Sequence, residues 1–62
     1  MSEMRRIRQE QGITLATISR KVGVSIAYLS DIEKGNRRGS PAVIGRIADS
    51  LGVSVAELVG GA

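Results

Sequence analysis

Apolar residues recur along this chain at intervals of three and four rather than two. Met4 and Ile7, Ile18 and Val22, and Leu29 and Ile32 each draw one stripe on a helix, and Val43, Ile44, Ile47, Ala48 and Leu51 draw a broader one. The pattern predicts five short helices and no strand. Val and Ile favour strands, but their spacing outweighs that propensity. Gly12 stops the first helix, which runs from Ser2 to Gln11. Thr14 is a good cap for the second, and Leu15 lies outside its stripe. The corner Val22-Gly23-Val24 then leads to Ser25, the natural cap of a third helix that ends at Lys34-Gly35. That third helix turns Leu29 and Ile32 inward, which leaves Ile26, Ala27, Ser30, Asp31 and Lys34 for a partner.

The fourth helix starts strongly. Ser40 stands at its cap and Pro41 at its first position, where a missing N–H costs nothing. Gly45 weakens its middle by about 1 kcal/mol relative to alanine, an expense expected where another backbone passes closely. After Gly52, Ser54 caps a last helix holding Val55, Leu58 and Val59, and the closing Gly60-Gly61-Ala62 is expected to fray.

With 62 residues the chain is expected to be one domain, residues 1–62. A domain this small buries only roughly 60% of its unfolded surface, so its core must be continuous. Cysteine and histidine are both absent, which removes disulfides, thiolate metal sites and the commonest general base. An enzyme, a metal and a cofactor are therefore not expected. No apolar run is long enough for a membrane span or a signal peptide, and a cytoplasmic protein is expected. The net charge is +3, but residues 1–39 hold eight of the nine Lys/Arg and four of the six Asp/Glu, a local +4 against −1 for the remainder. One half is then either a face for a polyanion or simply solubilising surface.

A helix-glycine-helix corner followed by the basic loop Asn36-Arg37-Arg38-Gly39 points to a helix-turn-helix DNA binder. The segments Gly12-Ile13-Thr14, Ile18-Ser19, Val22 to Ser25, Tyr28 to Gly35 and Ile47 to Ser54 resemble the phage-repressor and Cro-like (XRE) family. The likeness runs over residues 4–59. It implies an all-α, lambda-repressor-like five-helix bundle with the helix-turn-helix proper at residues 14–34.

In that family the third helix enters the major groove and the second points its N-terminus at a phosphate. The resemblance thus assigns base reading to Ile26, Ala27 and Asp31, with Ser25 and Ser30 beside them. An aliphatic side chain suits a thymine methyl and a carboxylate accepts from cytosine N4. The blander alternatives are a partly exposed packing residue for Ile26 and a solvated acid for Asp31. Thr14 becomes a phosphate contact as well as a cap. Lys34, Asn36, Arg37 and Arg38 correspond to the backbone clamp, and Tyr28 either offers its hydroxyl to a phosphate or packs against the second helix. Arg8 and Glu33 match a family pair that ties the first helix to the third. Three positions depart from the family: Leu15 stands where a DNA-reaching glutamine is common, Ser19 replaces a small alanine, and the loop proline arrives two places late, at Pro41.

The resemblance implies a sequence-specific transcriptional regulator of double-stranded DNA, a repressor on a palindromic operator as a homodimer. The apolar residues available to a dimer are Val53, Val55, Leu58 and Val59, which are equally explicable as core. An antitoxin-type protein-binding module that also regulates its own operon is the alternative. No small-molecule ligand and no membrane partner is indicated.

Overall fold

A computed structural model describes residues 2–60. It contains α1 (Ser2–Glu10), α2 (Leu15–Val22), α3 (Ile26–Lys34), α4 (Pro41–Leu51) and α5 (Val55–Leu58), with no strand among the described residues. Four of the five starts share one mechanism. The hydroxyls of Thr14, Ser25, Ser40 and Ser54 accept from the backbone N–H of Thr17, Tyr28, Val43 and Glu57, three residues on in each case. Ser54 adds a reciprocal bond, its own N–H donating to Glu57 Oε1 at 3.2 Å. This capping box satisfies two otherwise orphaned donors and secures a helix of only four residues. The spacing Ser-x-x-Glu was its sequence signal.

Every helix contributes to one core. Met4, Ile18, Leu29, Ile32, Ile47 and Leu58 are its largest fully buried side chains. Removing such a side chain from water contributes roughly 1.5–3 kcal/mol. Leu15, expected outside the stripe, is half-buried against this cluster, as are Ile13, Val24, Tyr28, Val43 and Val53. A helix of eight residues in so small a domain has neighbours over more of its circumference than a narrow stripe implies. Polar clasps close the ends: Gln11 Nε2 donates to the Leu51 carbonyl at 2.7 Å, and Arg46 Nη1 reaches the Val22 carbonyl at 3.4 Å.

The corner between α2 and α3 has two parts. Gly23 takes φ +82° and its N–H returns to the Ser19 carbonyl, the left-handed step that only glycine makes without strain. Ser19 then donates from its hydroxyl to the Val24 carbonyl on the far side of the turn. As a replacement for alanine it is thus more than a small residue, and the clasp ties the orientation of α3 to the last turns of α2.

Gly45 corrects the expectation of a close backbone. A Cβ placed there meets nothing within 4 Å. Its helical geometry accepts alanine, so Gly45→Ala is expected to stabilise the domain by about 0.5–1 kcal/mol, chiefly by restricting the unfolded chain. Thermal denaturation should show a rise of a few degrees; a fall would mean that space at Gly45 is needed.

Candidate nucleic-acid interface

Inward-facing Leu29, Ile32 and Glu33 fix the rotation of α3 about its axis. Its opposite side carries Ile26 and Ala27, both exposed, and Ser30 and Asp31, half-exposed. Ile26 is 49% exposed, a large aliphatic side chain held in water at the start of the helix. These spacings of three and four place the group along one stripe of the surface. Ser25 caps the same end, its Oγ accepting from Tyr28 N–H at 3.0 Å. Lys34, Asn36, Arg37 and Arg38 follow, all exposed. The expected base-reading and clamp residues therefore lie consecutively on one helix and the loop that leaves it.

The loop is folded back on α3. The Asp31 carbonyl accepts from the N–H groups of both Asn36 and Arg37, at 2.8 and 3.2 Å. That turn brings the Arg37 guanidinium over the Tyr28 ring, 5.6 Å from its centroid, with Nε 3.5 Å from Asp31 Oδ2. Neither contact was read from the sequence. Tyr28 and Asp31 lie three apart on one helix face, which is a signal for their proximity, but nothing in the sequence sets the reversal that returns Arg37 to them.

At the other end Thr14 is exposed, and its hydroxyl is engaged with Thr17. A phosphate there would meet the unpaired N–H groups of the first turn of α2. The same turn presents Leu15, half-buried, where a polar side chain would otherwise reach outward.

Arg8 and Glu33 meet as a two-pronged pair: Nε to Oε2 at 2.8 Å and Nη2 to Oε1 at 3.1 Å. Arg8 also donates from Nη1 to the Ile13 carbonyl at 2.9 Å, and so ties α1 to the approach of α2. A third member was missed. Arg5 Nε reaches Glu33 Oε1 at 3.1 Å, and its position three residues before Arg8 on α1 was a usable sign. The Glu33 side chain is 2% exposed and that of Arg8 14%. Burial alone would raise the Glu33 pKa, but the hydrogen bonds and charges of Arg8 and Arg5 together outweigh it and hold the carboxyl below its ordinary range. A buried anion with two cationic partners thus anchors the last turn of the exposed helix.

The residues considered for a dimer divide. Leu58 is fully buried and belongs to the core, so it offers no surface; Val53 is half-buried against the same cluster. Val55 and Val59 are exposed, and with Pro41, Ile44 and the Arg37-Arg38-Gly39 segment they line a shallow, mostly apolar groove. No helix among the described residues is long and apolar enough to cross a membrane.

A family model described as Helix-turn-helix matches residues 4–58. Among curated proteins, the chain is 38% identical over 58 residues to the uncharacterized HTH-type transcriptional regulator y4dJ of Sinorhizobium fredii, covering 94% of this chain and 75% of the relative. It is 33% identical over 54 residues to the immunity repressor protein of Bacillus phage phi105, covering 87% of this chain and 38% of the repressor. Among solved structures, the clp gene regulator ClgR from Corynebacterium glutamicum superposes with a TM-score of 0.88 at 31% identity, over 94% of this chain and 62% of that one. The chain thus spans three quarters of one relative and well under half of another.

Proposed function

Since the chain belongs to the XRE-type helix-turn-helix family of DNA-binding transcriptional regulators, we propose that it is a sequence-specific repressor that binds a palindromic operator in double-stranded DNA as a homodimer. The observation that carries this reading is the exposed stripe of α3 continuous with its cationic loop. Ile26, Ala27 and Ser30, with Ser25 at the cap, face the base edges in the major groove. An exposed isoleucine at the tip of such a helix matches a thymine methyl better than any hydrogen-bonding group. Lys34, Asn36, Arg37 and Arg38 hold phosphates and set the register, and the first turn of α2 at Thr14 receives another. Repression follows from occupation of a promoter, a role supported by the likeness to a phage immunity repressor. Residues 1–62 act as one DNA-binding domain, in the cytoplasm.

The groove beside the loop is the surface through which two copies would meet, with Val55 and Val59 as its exposed apolar contacts. It adjoins the loop that follows α3, so a two-fold axis there would pass beside the clamp residues Arg37 and Arg38. The spacing of the half-sites would follow from that axis.

Selection of bound sites from a random duplex pool tests the reading, together with sedimentation of the protein alone and on the selected site. The expected product is a two-fold symmetric site occupied by two copies. Recovery of no preferred sequence would remove sequence-specific regulation, and one copy on a palindrome would remove the dimer. Base-facing and clamp residues are expected to separate. Arg38→Ala should weaken all sites alike and flatten the dependence of log affinity on log salt by about one unit. Ile26→Ala should change the preferred base at one position instead. Equal behaviour of the two variants would contradict the assignment.

A further inference from the structure

Asp31 is the anomaly of the exposed stripe: a carboxylate on a surface meant for a polyanion. Its geometry assigns it a task other than reading cytosine. The side chain faces Arg37, with Oδ2 3.5 Å from Nε, and the Tyr28 ring takes the guanidinium at 5.6 Å. The Asp31 carbonyl meanwhile accepts the N–H of Arg37 itself, so backbone and side chain of one residue hold the arginine at two points. An arginine has five donors in a fixed planar fork. Nε is the guanidinium nitrogen nearest the acid, and the fork can still meet a phosphate at two points through Nη1 and Nη2.

Resting on the DNA-binding function proposed above, we infer that Asp31 and Tyr28 are positioning residues for Arg37. The acid and the ring hold the guanidinium against α3 before DNA arrives, so less of the freedom of a long side chain is lost on binding. Asp31 therefore acts through Arg37 and does not select a base. The arrangement also has a cost that makes it testable, because a carboxylate near phosphates repels them. Asp31 then opposes binding directly and favours it through Arg37, and only a double substitution separates the two effects.

Affinity for one selected duplex is measured for the wild type, Asp31→Asn, Arg37→Ala and the double variant, with base preference determined for each. In the Arg37→Ala background the loss of the acid should simply strengthen binding. With Arg37 in place the gain should be smaller by about threefold, the scale of an exposed ion pair, and the preferred sequence should not change. Tyr28→Phe keeps the ring and should bind as the wild type does. Tyr28→Leu should weaken binding about threefold when Arg37 is present and not when it is absent; melting curves confirm that both Tyr28 variants remain folded. Additive effects of Asp31→Asn and Arg37→Ala would overturn the inference. So would a change of preferred base in Asp31→Asn that persists without Arg37. In either case binding by the wild type leaves the proposed function standing, whereas a wild-type protein that retains no duplex overturns both.

Discussion

Replacing Glu33 by alanine is expected to destabilise the domain by about 3 kcal/mol and lower its melting temperature by about 10–20 °C. The carboxylate is almost wholly buried and receives Arg8 at two points and Arg5 at a third. Its loss leaves the Arg8 guanidinium, itself only 14% exposed, without its anion and with the Ile13 carbonyl as its remaining acceptor. Such an uncompensated charge is the expensive half of a broken buried pair. Arg5 is half-exposed and returns to water at little cost, which holds the figure at the lower end of the range. A 62-residue domain has only about 3–9 kcal/mol in total. DNA affinity should fall as well, because the last turn of α3 is anchored through this carboxylate. An unchanged melting temperature with unchanged affinity would refute the role.

The same pair sets a pH dependence with a definite sign. The folded-state pKa of Glu33 lies below its unfolded value. Its contribution is therefore complete above the unfolded value, near pH 4.3 for an ordinary glutamate, and is lost as the pH falls through the folded value. Melting temperatures of the wild type and Glu33→Gln should differ at neutral pH and converge in acid. A gap of constant size down to the lowest pH would show that the ionised pair contributes nothing.

Gly39→Ala is expected to cost about 2 kcal/mol, the second largest effect. The residue sits at φ +74°, where a Cβ costs about 1 kcal/mol or more. That Cβ would also lie 2.9 Å from Ile32 Cδ1 and 3.1 Å from Ile44 Cδ1. Both are the ends of flexible side chains, so the crowding falls at the low end of overpacking penalties, about 1 kcal/mol. Gly35 provides the control: its φ is +84°, but nothing stands within 4 Å of an added Cβ. Gly35→Ala should cost about 1 kcal/mol less than Gly39→Ala in chemical denaturation. Equal losses would mean that backbone strain alone governs the loop. The contrast with Gly45, where alanine should stabilise, separates three environments of one residue type.

Much of the fold could be read directly. Thr14, Ser25, Ser40 and Ser54 announce four helix starts because a cap is a local event, a side chain three residues from the N–H it accepts. Met4, Ile18, Leu29, Ile32 and Ile47 reach the core because their spacing follows the turn of the helix they lie on. Glu33 and Arg8 were paired only through a family pattern, since no local rule joins residues 25 apart.

Elsewhere the sequence was equivocal. Leu58, Val55 and Val59 are alike in hydrophobicity, yet the first is core and the other two are surface. Periodicity resolves poorly in a four-residue helix. Nothing local in the sequence brings Asp31 and Arg37 together, because their meeting depends on the reversal after Gly35.

The sequence by itself determined where four of the five helices begin, which face of most of them is apolar, and that the chemistry points to nucleic acid. These are short-range matters of capping, period and charge. The tertiary structure decided which charged groups share a site: Arg5 with Arg8 on Glu33, and Arg37 with Tyr28 and Asp31. It also decided which glycines have room for a side chain. Those outcomes depend on how separate helices and their connections are set against one another. Small differences in a loop's path move a side chain by more than the length of a hydrogen bond, and no periodicity along the chain records them.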